Sequence, residues 1–307
     1  MNYKEEIEKL KKEKKAVILA HYYVSGDIQD IADVIGDSLA LAQASKKLDA
    51  EIILFCGVHF MAETAKILNP KAKVIIPDFN AGCSLADSAP IDKFIQFKKQ
   101  HPEAIVVSYI NCSAEVKAES DYICTSSNAV EVVNAISMDK EIIFAPDKHL
   151  GRYVEKMTNR KMHIWDGSCI VHNNISQEKL NQLMNQHKDA LLISHPECPE
   201  EIIEKSDFVG STKALLDFVK KSTQQKFIVA TEAGILYKMK KEAPGKIIIA
   251  APSHESNTCA CSECPYMKMN TLEKVYKALL SESPTIHINQ QVEAAALRAL
   301  NNMLSIN

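Results

Sequence analysis

Six polar residues arranged as three pairs, and three cysteines, recur at matching places along this 307-residue chain, and together they could move protons and hold a metal. The pairs are His21 and Tyr23, Tyr109 and Asn111, and His195 and Glu197, each directly behind a short apolar run. Imidazoles, phenols, an amide and a carboxylate gathered in one place suit proton transfer and hydrogen bonding of a polar ligand. Twelve residues after the first member of each pair stands an aspartate (Asp33, Asp121, Asp207), and five further on a hydroxyl (Ser38, Ser126, Thr212). The hydroxyls fall where helices are expected to begin. The ordinary use of such a hydroxyl is an N-cap, but a helix start also offers free amides and a positive dipole end, which bind carboxylate or phosphate. The aspartates read as caps or domain contacts.

Cys83, Cys169 and Cys264 are the most specific feature. A lone free cysteine is commonly a small buried hydrophobe, the reading that fits Cys56, Cys112, Cys124 and Cys198. Three thiolates converging from equivalent positions make a tripod. Structural zinc usually takes four closed ligands, whereas a cubane iron-sulfur cluster on three thiolates leaves one iron open as a Lewis acid. The tripod therefore favours a 4Fe-4S cluster. Locally, CACSECP (Cys259 to Pro265) also reads as a zinc knuckle or as a redox pair of Cys261 with Cys264, although no second Cys-x-x-C accompanies it.

The elements that must position these residues follow from a threefold repeat. Segments opening at Ala16, Ala104 and Ala190, 88 and 86 residues apart, carry the same order of landmarks. A second apolar run stands at 52–55, 142–145 and 227–230, and a third at 74–77, 162–165 and 247–250, with the cysteine beyond it. Short apolar runs alternating with segments of helical length read as parallel strands covered on both faces. The expected fold is α/β: three pseudo-threefold-related three-layer α/β/α units with short parallel sheets and the active site at their central interface. The units are 1–86 with a C-terminal helix in 282–307, then 87–172, then 173–281. Helices are expected over 39–48, 59–68, 89–100, 127–136, 149–158, 176–187, 212–221 and 271–281. A terminal helix over 289–304 is expected to pack back onto the first unit. Because ligands of parallel sheets bind beyond the carboxyl ends of the strands, the six polar residues should meet in one cavity.

Composition narrows the function. Lys plus Arg is 36 against 39 Asp plus Glu, a net charge of -3, so no basic excess exists to grip nucleic acid. The charged start MNYKEEIEKLKKEKK and the lack of an apolar run of membrane length point to a cytoplasmic chain with no membrane partner. From the residues alone, a small-anion binder and a zinc or thiol-redox protein remain as alternatives to an enzyme.

HYY near the start, YIN, HPE, ST and the CxxCPxM segment (Cys261 to Met267), set in triplicated α/β units, resemble the quinolinate synthase family over essentially the whole chain. The resemblance implies a 4Fe-4S enzyme of NAD biosynthesis, a transferase that condenses iminosuccinate with dihydroxyacetone phosphate to quinolinate, phosphate and water. It implies Cys83, Cys169 and Cys264 as cluster ligands, and His21, Tyr23, Ser38, Tyr109, Asn111, Ser126, His195, Glu197 and Thr212 as substrate contacts. Tyr23, Tyr109, His195 and Glu197 are expected to carry protons, with His21 and Asn111 positioning substrate and His172 supporting Cys169 from behind. L-aspartate oxidase, which makes the imine, is the expected handover partner. Where some members carry an evenly spaced first cysteine, this chain has Thr258 with Cys259 beside it; pairing of Cys261 with Cys264 would compete with cluster assembly.

Overall fold

The computed structural model describes residues 2–254 and 262–306. The first unit runs α1 (Tyr3–Glu13), β1 (Ala16–His21), α2 (Gly26–Gln29), β2 (Val34–Gly36), α3 (Ser38–Lys47), β3 (Ile52–Cys56), α4 (His59–Leu68), β4 (Lys73–Ile75) and α5 (Ser84–Asp87). The second repeats that order with α6 (Ile91–Gln100), β5 (Ile105–Tyr109), α7 (Ala114–Ala118), β6 (Tyr122–Cys124), α8 (Ala129–Ala135), β7 (Ile142–Ala145), α9 (Lys148–Thr158), β8 (His163–Ile164) and α10 (Ile170–Asn173). The third comprises α11 (Gln177–Gln186), β9 (Leu191–Ser194), α12 (Glu200–Ile203), β10 (Phe208–Val209), α13 (Thr212–Lys221), β11 (Lys226–Ala230), α14 (Ile235–Glu242) and β12 (Ile247–Ala250). A short turn at Met267–Met269, α15 (Leu272–Ser281) and α16 (Gln290–Ser305) complete the chain.

Each unit holds one four-stranded, all-parallel sheet, in the orders β2-β1-β3-β4, β6-β5-β7-β8 and β10-β9-β11-β12. Identical strand order in three consecutive segments is the structural counterpart of the repeat. Strand β3 shows why the apolar runs are unbroken: all five residues are buried, because helices cover both faces. In each sheet the connections from the first strand and from the third leave in opposite directions, opening a crevice at their carboxyl ends where ligands bind.

The repeated aspartates have a different task from capping. The Asp33 carboxylate accepts the Ile18 amide at 2.8 Å while its own amide bonds the Ile18 carbonyl at 2.9 Å. Asp121 does the same with Val106, and Asp207 with Leu192, each carboxylate at 2.8 Å from the amide. Each aspartate thus knots the approach to the short edge strand onto the neighbouring central strand. Edge strands of two or three residues (β2, β6, β10) gain from such a tie because they have few ladder bonds of their own.

Two other expectations need correction. The helix expected over 89–100 starts two residues later, at Ile91 behind Pro90, and ends as expected at Gln100. The terminal helix does not lie on the first unit alone: α16 packs against α7 and β6 as well as α4, and Asn302 bonds the Asp121 carbonyl at 2.9 Å. Its buried Ala296, Ala299, Leu300 and Met303 form the stripe that binds the first two units together. Among the described residues no helix is long and apolar enough to cross a membrane.

Candidate active site

All twelve candidate residues line one cavity at the meeting of the three units. His21 and Tyr109 are the last residues of β1 and β5, and His195 directly follows β9, so the strand ends aim the ring of polar side chains inward. The turn behind β1 is itself clamped: Gln29 Nε2 donates to the carbonyls of Tyr22, Val24 and Gly234 at 2.9, 3.0 and 3.3 Å. Gly234 is required there, since a Cβ would stand 2.6 Å from the Tyr23 carbonyl oxygen.

The two imidazoles of the ring are set alike. The Tyr23 amide donates to His21 Nδ1 at 3.2 Å, and the Glu197 amide donates to His195 Nδ1 at 3.3 Å. Burial holds both rings neutral by pulling their pKa values to about 3. With Nδ1 accepting, the neutral tautomer carries its proton on Nε2, and His195 Nε2 meets Ser126 Oγ at 3.1 Å. The ring therefore presents N–H donors to the cavity.

A chain of close polar contacts joins the two phenols. Tyr109 donates to Glu197 Oε1 at 2.5 Å, and Glu197 Oε2 stands 2.9 Å from His172 Nδ1. His172 Nε2 reaches Thr231 Oγ1 at 2.9 Å, and Thr231 meets Tyr23 OH at 3.0 Å, which also touches Thr212 Oγ1 at 2.8 Å. His172 stacks on His195 with ring centroids 4.8 Å apart. Burial alone would lift the Glu197 carboxyl, but the His172 imidazole and the Tyr109 hydroxyl beside it outweigh that and hold the pKa down at about 2. Burial, and then the Glu197 charge, push both phenols up, so they stay protonated. The result is one ionised acceptor beside protonated donors in a low-dielectric site, where each partner is strongly felt.

The hydroxyls are spared from capping. Asp37 and Ser211 are the N-caps of α3 and α13, accepting from Ala40 and Ala214, which leaves Ser38 and Thr212 as first helical residues facing the cavity. Helix α8 starts at Ala129, later than expected, and Ser126 lies in the preceding turn, where Asn128 bonds Thr125 instead. Asn111 Oδ1 is buried in the cavity wall with no protein partner.

The cysteines share a local design. Cys83 and Cys169 immediately precede α5 and α10, and Cys264 stands before the Met267–Met269 turn. Backbone N–H groups two and three residues on ease each thiol downward, but burial dominates, lifting Cys83 to about 12 and raising Cys169 and Cys264 also. As free thiols they are protonated, and a bound metal would displace those protons. Cys56, Cys112, Cys124 and Cys198 are buried and unpaired, while Cys259 and Cys261 lie outside the described residues.

Four further residues of the site escape a reading of motifs. Asp37 and Glu232 line the cavity, Thr231 contacts the cavity residues Tyr23 and His172, and Asp147 lies 3.3 Å from the Cys169 amide. Thr231 and Glu232 follow the apolar run 227–230 directly, as Asp147 nearly follows 142–145, so the repeat itself was the available signal. Burial pushes the Glu232 carboxyl up to about 7. A separate donor triplet, His101, Glu141 and His163, lies at the opposite, amino end of the second sheet. Its imidazoles stack at 3.6 Å with planes 20° apart, so their lone pairs run side by side rather than converging.

Comparison with known proteins agrees with this architecture. A family model described as quinolinate synthetase A protein matches residues 5–305. The quinolinate synthase of Chloroherpeton thalassium is 54% identical over 302 residues, 98% of this chain and 94% of the relative. That of Rippkaea orientalis is 55% identical over 300 residues, 98% of this chain and 92% of the relative, and that of Nostoc punctiforme is similar to the same extent. With likeness of this depth over nearly its whole length, the chain belongs to the quinolinate synthetase A family of enzymes.

Proposed function

We propose that this chain is a cytoplasmic quinolinate synthase of NAD biosynthesis, condensing iminosuccinate with dihydroxyacetone phosphate to quinolinate, phosphate and water. The observation that carries this reading is the opening of Cys83, Cys169 and Cys264, one from each unit, on the same cavity as the ring of strand-end polar residues. The donor set fits a 4Fe-4S cluster. The three thiols are not among the donor triplets whose ligand atoms all lie within 4.8 Å of one another, a wider spread than a single ion wants. Held by these thiolates, the cluster would supply an open iron as Lewis acid.

The chain's own groups divide the remaining work. Ser38, Ser126 and Thr212, with the amides of the helix starts, hold the carboxylates and phosphate of the substrates. Glu197, ionised, takes protons, and Tyr109, which already donates to it, returns them. Tyr23 joins the same proton pool through Thr231 and His172. His21 donates from Nε2 to substrate oxygen, His195 acts through the Ser126 hydroxyl that its Nε2 meets, and the unpartnered Asn111 Oδ1 accepts a substrate N–H or O–H. Burial of His21, Tyr109, His195 and Glu197 keeps bulk water away from the imine, which an L-aspartate oxidase would deliver.

Anaerobic purification with iron, sulfide, zinc and quinolinate analysis tests this reading. About four irons and four sulfides per chain, lost in Cys83→Ala, Cys169→Ala and Cys264→Ala together with quinolinate formation, are expected. Zinc without sulfide, indifferent to Cys83 and Cys169, would overturn it.

A further inference from the structure

Two buried carboxylates outside the ring occupy equivalent positions in the second and third units. Asp147 and Glu232 each stand two residues beyond the end of the strand next to their unit's central one, β7 and β11, and are 0% and 1% exposed. Each spends one oxygen locally and one on a cysteine. Asp147 accepts the Leu150 amide at 2.7 Å and the Cys169 amide at 3.3 Å. Glu232 accepts the Gly234 amide at 2.7 Å and the Cys264 amide at 2.9 Å, with Lys268 Nζ 3.6 Å away. Gly234 makes room for this approach, because a Cβ there would lie 2.8 Å from Glu232 Oε2. The equivalent position in the first unit is Val58, and there the turn is tied by backbone, His59 amide to Ala81 carbonyl at 2.7 Å.

Burying a carboxylate is costly unless its oxygens are bonded, so two such groups at matched sites, each spent on the amide of a cavity cysteine, call for a shared purpose. We propose that Asp147 and Glu232 are positioning residues: they fix the backbone of Cys169 and Cys264, and so fix where those two thiolates meet the cluster. This rests on the cluster reading above. Groups that orient metal ligands in this way are worth about 10- to 100-fold in metal retention. The shorter contact and the lack of a capping duty make Glu232 the stronger of the two. Asp147 also caps α9.

The test uses the anaerobically reconstituted holoenzyme and measures the rate of iron release to a ferrous chelator, with the spectrum of the reduced cluster and Tm recorded alongside. Glu232→Gln and Asp147→Asn keep shape but retain only one acceptor oxygen, so that the cysteine amide and its neighbour's amide can no longer both be bonded. Asp207→Asn and Asp121→Asn serve as matched controls, since they also remove a carboxylate from a backbone amide of the same units, but from Leu192 and Val106 rather than from a cavity cysteine. Expected are about tenfold faster iron release and an altered spectrum in Glu232→Gln, a smaller acceleration in Asp147→Asn, and wild-type release in both controls despite a lowered Tm. Wild-type release from an assembled cluster in Glu232→Gln, or release that simply follows Tm across all four variants, would overturn the brace while leaving the cluster reading intact. A wild-type chain that takes up no iron and sulfide would overturn both.

Discussion

The turns behind the first strands and the turns that carry the cysteines face the same cavity, yet folding completes only one of them. Behind β1, β5 and β9 most of the polar groups engage one another, Asn111 Oδ1 excepted: Glu197 is ionised between Tyr109 and His172, and both ring imidazoles are neutral with a defined tautomer. In the cysteine turns, backbone amides are aimed at thiols that burial nevertheless keeps protonated. The first arrangement is set before any ligand arrives; the second becomes favourable only when a cation replaces the protons. A site built this way separates assembly from chemistry, so substitutions in the two regions should fail differently.

The largest effects belong to the cysteine turns. Cys83→Ala, Cys169→Ala or Cys264→Ala should abolish cluster content and, by removing several kcal/mol of Lewis-acid stabilisation, lower quinolinate formation at least about a thousandfold. Glu197→Gln should sharpen the contrast, with iron and sulfide content unchanged and kcat reduced about 10²- to 10⁴-fold; loss of the cluster in this variant would merge the two regions into one. Thr231→Val cuts the link between Tyr23 and His172 but leaves Tyr109 on Glu197, so single-turnover rates should fall about tenfold, the equivalent of one buried hydrogen bond. The smallest effect concerns pH. His21 is held at about 3 against an ordinary 6.5, so the unfolded chain takes up a proton that the folded chain refuses as pH falls below 6.5. That costs about 1 kcal/mol at pH 5.5, and His195 acts in the same sense. His21→Asn should therefore show a shallower drop in Tm between pH 7.5 and 5.5 than the unaltered cluster-free chain; an equal drop would place the titration elsewhere.

Much of the fold is legible because the repeat is written in spacing. Apolar runs buried on both faces must be unbroken, so β3, β7 and β11 stand out, and helices 59–68 and 212–221 coincide with α4 and α13. Helix α14 is missed by periodicity because its apolar residues crowd into its first half, Ile235 to Met239, and its second half is all lysine and glutamate, although α4 and α9 hold the same place in the other units. The path of α16 is unreadable because its small-residue stripe would fit many surfaces. The aspartates are visible as a repeat but not as strand knots, since a carboxylate bonding a backbone amide fifteen residues away leaves no local signature.

Residue types and their intervals by themselves determined three α/β units, the strand-end ring and one cysteine per unit, because strand and helix periods and a triplicated spacing are properties of the linear chain. Only the tertiary structure decided that Asp37 and Ser211 take the capping duty and free Ser38 and Thr212. It alone decided that His172 and Thr231 bridge Glu197 to Tyr23, and that Asp147 and Glu232 hold two cysteine amides. Protonation states, tautomers and the partners of buried charges depend on which groups are brought within about 3 Å away from water, and folding creates that proximity both within a unit, as for Glu232 and Cys264, and between units, as for Tyr109 and Glu197.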